Sequence, residues 1–420
     1  MARRYFGTDG VRGVVGDTLT AELVERLGRA AALWAGAREV YVGRDTRESG
    51  PELEEALVRG VVSAGATAVL GGVLPTPAVA LSGRDLGAVI SASHNPPEYN
   101  GLKFFDAAGH KLADAAEEEI EALLDAPGPG GGGVERARNA AERYVEHVLR
   151  HFGSALDGLR LAVDCANGAY GEIAPDVFRR LGADVCTIGV SGDGGLINVG
   201  SGATDTAALQ RLVVDGGFDL GIAFDGDGDR MLAVDERGEV VDGDQIVAIL
   251  ALDLGVDLVA VTQMTNHGFH ALMREHGIRV LTTDVGDRYV LEALRREGGM
   301  LGGEQSGHVI YLRDHVSGDG LAAALLLCRA LRGRRLSEAA AVMPRWEQCK
   351  ENVPVASKVL SEPVRAAVAR LNAELDGSGR VLVRPSGTEP LVRVLAEAEN
   401  GGVARDACAT LAALVRRELG

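Results

Sequence analysis

Asp225-Gly-Asp-Gly-Asp-Arg230 sets three carboxylates at alternate positions, separated by glycines that let the backbone fold tightly. Such a loop can converge several oxygens on a hard divalent cation such as Mg²⁺. The apolar run Leu220–Phe224 precedes it, so the loop leaves a strand. A calcium-binding helix-loop-helix is tempting, because Asp225, Asp227, Asp229 and Glu236 fall at its ligand spacings. It fails because Arg230 replaces the glycine needed for the turn and a strand comes first. A solvated acidic turn is the remaining alternative.

Ser91-Ala-Ser-His-Asn-Pro-Pro97 follows another apolar run, Leu86–Ile90, with Asn100-Gly-Leu-Lys103 just beyond. A hydroxyl at a strand-to-loop transition sits where α/β sheets present reactive groups. His94 can tune a nucleophile there, and Lys103 can act as a base or clamp a phosphate. Taken alone, the segment also reads as a plain turn between strands.

Three further segments carry weaker signals. Gly302-Gly-Glu-Gln-Ser-Gly-His308 groups the carboxylate of Glu304, the hydroxyl of Ser306 and the imidazole of His308, a set suited to sugar hydroxyls and acid–base work. Arg384-Pro-Ser-Gly-Thr-Glu-Pro390, followed by Arg393, offers planar guanidinium forks beside Ser386, Gly387 and Thr388, which suits an anion such as phosphate. An ordinary hairpin turn is its alternative. Phe6-Gly-Thr-Asp-Gly-Val-Arg-Gly13 lacks the spacing of a nucleotide loop and leaves Arg12 as its functional residue.

The elements that must position these segments alternate. Helical stretches at Thr20–Ala35 and Pro51–Ala64 interleave with apolar runs at Val40–Val42, Ala68–Leu70 and Leu86–Ile90, the pattern of βαβ units. A second cycle runs from Leu159–Asp164 to Leu220–Phe224, and a third from Leu258–Thr262 to the helix Gly320–Leu331. The remainder reads as a smaller α+β segment with a helix at Glu362–Leu375. A Gly/Pro run, Ala126–Gly133, reads as a surface loop near the end of the first domain. The expectation is α/β: three doubly wound domains plus a smaller C-terminal α+β domain, bounded at 1–150, 151–251, 252–345 and 346–420.

At 420 residues the chain is too long for one core, and about 100 to 200 residues per domain gives two to four of them. Its net charge of −17 argues against nucleic acid or an anionic membrane as partner, so an anionic substrate must meet local positive charge. Lysine is scarce: 103, 111, 350 and 358 are the only lysine positions. Five cysteines without paired spacing read as reduced thiols, and no apolar stretch is long enough for a bilayer, so the cytoplasm is the expected compartment.

In this order, the segments resemble the α-D-phosphohexomutase family over essentially the whole chain. Phe6–Gly13 is similar to its opening, Ser91–Pro96 to its phosphoserine loop, Asp225–Arg230 to its metal loop, Glu304–His308 to its sugar loop and Arg384–Pro390 to its phosphate loop. Gly303–His308 together with Val285-Gly-Asp-Arg-Tyr-Val290 is similar to the glucosamine branch, although Ser201 stands where that branch usually has Cys. The resemblance implies four domains around a central cleft, one loop from each.

It further implies that Ser93 carries a phosphoryl group, giving it to a hexosamine phosphate and recovering the other phosphoryl from the 1,6-bisphosphate. Mg²⁺ is then held by Asp225, Asp227, Asp229 and the phosphorylated Ser93. Arg12 and Arg230 add positive charge, Lys103 leads as general base, and His308 assists proton transfer. Glu304 and Ser306 hold ring hydroxyls; Arg384, Ser386, Gly387, Thr388 and Arg393 grip the phosphate that is not reacting. A homodimer is compatible with this reading. Glucose or mannose phosphates are alternative substrates, a phosphatase is a further reading, and a silent sugar-phosphate sensor is the alternative of another class.

Overall fold

A computed structural model describes residues 3–7, 9–386 and 390–420. Two compact units emerge, Met1–Met264 with Arg279–Ala341, and Thr265–Ile278 with Val342–Gly420.

The larger unit holds three sheets. Seven strands form the first, in the order Phe6–Gly7, Gly10–Val14, Tyr99–Asp106, Leu86–Ile90, Glu39–Arg44, Thr67–Val73, Val134–Arg136. The last four run parallel, and the first three add an antiparallel rim. Leu86–Ile90 is wholly buried, as its unbroken apolar run requires, and pairs antiparallel with Tyr99–Asp106 so that Val89 faces Lys103. The phosphoserine-like segment is the loop between these two strands.

Helix Ala21–Ala35 starts at Thr20, whose hydroxyl accepts from Leu23 N–H, and buries Leu23, Val24, Leu27 and Ala31. It lies close against helix Gly50–Ser63, where a Cβ on Gly60 would meet Glu25 O at 2.0 Å. The Gly/Pro run is laid along that second helix rather than swinging free. Gly130 and Gly132 donate to Ser63 O and Val62 O, before Val134–Arg136 joins the sheet.

In the second sheet the order is Val240–Val241, Met231–Asp235, Leu220–Phe224, Arg160–Asp164, Asp184–Ile188. Phe224 pairs with Met231 across an antiparallel ladder, so residues 225–230 are a hairpin connection. The third runs Arg279–Thr283, Leu258–Thr262, Leu301–Gly303, Val309–Tyr311, and Gly303 pairs with Val309, making 304–308 another hairpin connection. The segments after Ile90, Phe224 and Gly303 are thus loops between paired strands.

The smaller unit is a three-stranded antiparallel sheet, Glu347–Pro354, Leu391–Ala398, Gly379–Pro385, covered by helices Glu362–Leu375 and Gly401–Leu419. Helix His267–Glu275 groups with it, because Asn266 Nδ2 donates to Trp346 O (2.9 Å) and Arg380 Nη2 to Thr265 O (2.6 Å).

Candidate active site

Ser93 is fully buried and sits at φ +52°, a left-handed backbone that turns its hydroxyl out of the loop. The loop is fixed from beneath by Arg47, itself without solvent exposure. Its guanidinium donates to the carbonyls of Ser93 (3.0 Å), Asn95 (2.8 Å), Pro96 (2.5 Å) and Tyr99 (2.8 Å), and pairs with Asp45 at 3.0 Å. Asn198 Nδ2 adds donors to Ser93 O (2.8 Å) and Asn95 O (3.1 Å). Ser91 Oγ donates to Asp45 and accepts Ser93 N–H, so Ser91 supports and Ser93 presents.

The Ser93 hydroxyl donates to Asp225 Oδ2 over 2.5 Å. Asp225, Asp227 and Asp229 are all buried, with one oxygen from each lying within 4.8 Å of the others. Gly226 permits this approach, since a Cβ there would meet Ser93 O at 2.7 Å. Burial, then the neighbouring charges of Asp229 and Asp227, hold the Asp225 carboxyl well above its ordinary pKa. Asp227 Oδ1 and Asp229 Oδ1 are buried without a hydrogen-bond donor. Crowded like charges with unanswered hard oxygens fit a divalent cation such as Mg²⁺.

Around the triad, positive groups gather. Lys103 Nζ lies 2.8 Å from Asp227, 3.1 Å from Asp229 and 3.3 Å from Asp9. Burial would lower its pKa, but these three carboxylates outweigh it and raise it well above the ordinary value. With these carboxylates so close, the ammonium form of Lys103 is favoured, and the sequence could not show how many carboxylates face it. Arg12 pairs with Asp9 and donates to Asn95 Oδ1 at 3.1 Å. The Arg230 backbone N–H donates to Asp225 Oδ1 at 3.1 Å, and its guanidinium lies 3.9 Å from Asp229. His94 is 3.4 Å from Ser93 Oγ; burial with Arg230 and Arg12 nearby lowers its pKa to about 4, so it is a neutral imidazole.

From the third sheet, His308 Nδ1 lies 3.6 Å from Asp229 and Nε2 3.3 Å from Asp287. Burial lowers its pKa, yet Asp287 and Asp229 win and raise it. Glu304 accepts Gly286 N–H at 3.1 Å, and its carboxyl is pushed up by burial and then by Asp287. Ser306 is exposed.

In the smaller unit, Arg384 and Arg393 face each other across the antiparallel ladder. Burial and Arg393 together lower the Arg384 pKa. Two like charges opposed in this way are destabilising unless an anion lies between them. Ser386 N–H donates to Leu391 O, and Lys358 Nζ donates to Ser386 O at 3.0 Å. Gly387 and Thr388 lie outside the described residues.

Models of phosphoglucomutase/phosphomannomutase α/β/α domains I, II and III match residues 3–128, 142–238 and 242–346, and that of the C-terminal domain matches 351–414. The chain belongs to the phosphoglucomutase/phosphomannomutase family. As a member it is a phosphohexomutase, an isomerase that moves a phosphoryl group within a sugar phosphate. Among its relatives, a phosphoglucosamine mutase of Moorella thermoacetica is 50% identical over 94% of this chain and 95% of its own. One of Frankia alni is 50% identical over 99% of both chains. A solved phosphoglucomutase/phosphomannomutase family protein of Burkholderia thailandensis superposes with a TM-score of 0.84 at 27% identity, covering 99% of this chain and 98% of that one. An Aspergillus fumigatus N-acetylphosphoglucosamine mutase, solved with GlcNAc-6P and magnesium, shares the fold at a TM-score of 0.68 and 20% identity, covering 99% of this chain and 96% of that one.

The phosphohexomutase loops singled out in the larger unit converge: Ser93, Lys103, Arg12, Arg230, Glu304 and His308 all lie on or next to the groups that face the three aspartates. Sequence reasoning missed Arg47, Asp45, Asn198, Thr76, Asp9, Lys111 and Asp287. Two of them carried a usable signal: Asp9 lies inside the family-like opening and Asp287 inside Val285–Val290.

Proposed function

We propose that the chain interconverts glucosamine 6-phosphate and glucosamine 1-phosphate through a phosphorylated Ser93 and a 1,6-bisphosphate. The observation that carries the reaction is the Ser93 hydroxyl, 2.5 Å from a carboxylate of a buried aspartate triad. Relatives at 50% identity over nearly full length, named phosphoglucosamine mutases, support the amino sugar.

In the forward half-reaction the bond from phosphorus to Ser93 Oγ breaks as a bond to the free sugar hydroxyl forms. The hydroxyl proton finishes on Ser93 Oγ. After the bisphosphate turns over, Ser93 takes back the other phosphoryl group and returns a proton to the sugar oxygen. Because phosphoryl transfer runs through a loose, charge-rich transition state, the protein's task is placement and charge. Asp225, Asp227, Asp229 and phosphorylated Ser93 would hold Mg²⁺, which when bound would offset negative charge at the site.

Arg12 and Arg230 face that group from the protein side. Lys103 is the general base for the hydroxyl proton, and His308 assists its transfer. Glu304 and Ser306 bind ring hydroxyls. Arg384, Ser386, Gly387, Thr388 and Arg393 bind the phosphate at rest. The four segments 1–150, 151–251, 252–345 and 346–420 serve as phosphoserine, metal, sugar and phosphate domains. The cytoplasm is the proposed compartment, in keeping with five free cysteines. Among the described residues no helix is long and apolar enough to cross a membrane.

A coupled assay of glucosamine 1-phosphate formation tests this, run beside glucose and mannose 6-phosphates and repeated with Ser93→Ala. The expected result is preference for the amino sugar, loss of turnover in the variant, and label on Ser93 after incubation with a hexose bisphosphate. Turnover surviving in Ser93→Ala, or no label in the wild type, overturns the carrier role.

A further inference from the structure

Six side chains of the larger unit close a ring in which carboxylates alternate with basic groups. Asp9 lies 3.3 Å from Lys103, Lys103 3.1 Å from Asp229, Asp229 3.6 Å from His308, His308 3.3 Å from Asp287, Asp287 2.5 Å from Lys111, and Lys111 2.6 Å from Asp9. The members come from all three sheets of that unit: the opening hairpin and the Tyr99–Asp106 strand with its extension, the 225–230 connection, and the 304–308 connection with the first turn of helix Asp287–Glu297. None is more than 18% exposed at its side chain.

Building on the function proposed above, we infer that Asp287 and Lys111 are positioning residues of the phosphoryl-transfer site, holding His308 and Lys103 in place by closing this ring.

Lys103 and His308 belong to the proposed chemistry, whereas Lys111 and Asp287 have had no part in it. Each ring member faces a group of the opposite kind on both sides, the His308–Asp287 link being a charge contact rather than a hydrogen bond, so deleting one leaves two buried groups without that counterpart, a costly state in a desolvated site. Apart from Lys103, which lies within the strand Tyr99–Asp106, the ring lies on connections and a helix start, and loops from three sheets need such fastening if reacting groups are to be held to a fraction of an ångström. The segment around Asp287 fastens the sugar loop twice. Gly286 N–H donates to Glu304, and Asp287 faces His308. The next residue, Arg288, pairs with Asp114 and with Glu117, 3.3 Å away, on the helix Asp114–Ala122. Lysine suits position 111 because a compact ammonium bridges two carboxylates without the breadth of a guanidinium.

The test is steady-state kinetics of Asp287→Asn, Lys111→Gln and the double variant on glucosamine 6-phosphate, per mole of folded enzyme. Each single variant should lose about 10- to 100-fold in kcat, with KM within about threefold of wild type. The double variant should be no worse than the poorer single, because a ring is opened only once. Lys111→Arg provides a second variant should Lys111→Gln fail to fold, and is expected to lose kcat as well. A kcat within twofold of wild type in Asp287→Asn, or losses that multiply in the double variant, overturns the inference. Should wild-type enzyme fail to turn over glucosamine 6-phosphate, the substrate reading falls. The ring is then still read from the rate of Ser93 labelling by a hexose bisphosphate, which should slow in Asp287→Asn; an unchanged rate overturns it.

Discussion

The Thr76 hydroxyl donates to Asp227 Oδ2 over 2.6 Å, and its backbone N–H donates to Asp227 O over 2.8 Å. Helix Thr76–Ala80 follows strand Thr67–Val73 of the first sheet, whereas Asp227 belongs to the hairpin of the second. One sheet therefore aims a carboxylate carried by another. Thr76→Val keeps the shape and the backbone bond but removes the donor. Mn²⁺ affinity, followed by electron paramagnetic resonance, should fall about tenfold, as is typical when a ligand's outer partner is lost. Unchanged affinity would show that Asp227 needs no such guide.

Arg47 supports the Ser93 loop through four carbonyls and the buried carboxylate of Asp45. Arg47→Met strips donors from all five at once and strands a charge. Stability in urea should drop by about 3 to 5 kcal/mol, the cost of breaking a buried pair, and Ser93 labelling should fall with it. A loss below 1 kcal/mol would mean that the loop holds its shape unaided.

Lys103 can lose a proton once its carboxylates are offset, which an arginine does not do in a protein. Lys103→Arg should bind glucosamine 6-phosphate with KM little changed and lose about 10²- to 10⁴-fold in kcat. Near-normal turnover would assign position 103 to fixed charge alone.

His270, on helix His267–Glu275 of the smaller unit, has its pKa lowered from 6.5 to about 4 by burial, with Arg380 and His267 adding to it. The folded form keeps the imidazole neutral, while the unfolded chain takes up a proton below pH 6.5. This contribution to stability is complete above pH 6.5 and is lost as pH falls toward 4. For a partly exposed group the loss should reach about 2 kcal/mol. Urea denaturation of wild type and His270→Gln between pH 4.5 and 7.5 checks it. The variant should show a flatter profile, and identical profiles would remove His270 as the source.

Much of this was legible in the chain. Leu86–Ile90, Leu220–Phe224 and Leu258–Thr262 are strands over those bounds because each is an unbroken apolar run between loop-forming residues. The segments that bring Ser93, the three aspartates and residues 304–308 together stood out because chemistry restricts residue type and spacing at once. What stayed hidden was long-range. Arg47 reaches carbonyls about 50 residues away, and carbonyls leave no trace in side-chain pattern. Lys111 meets Asp287 across 176 residues. The charge state of Lys103 depends on Asp9 and Asp229 arriving from other segments, so no local reading could have supplied it. The grouping of helix His267–Glu275 with the C-terminal sheet rests on Asn266 and Arg380 contacts of the same kind.

The backbone torsion at position 93 also restricts which amino acid can serve there. Threonine offers the same oxygen, but its branch at Cβ tolerates the left-handed region poorly, with strain on the order of 1–3 kcal/mol. Among the alcohol side chains only the unbranched one meets the triad without that strain. The shape of the loop thus favours serine over threonine at the proposed carrier position before nucleophilicity enters.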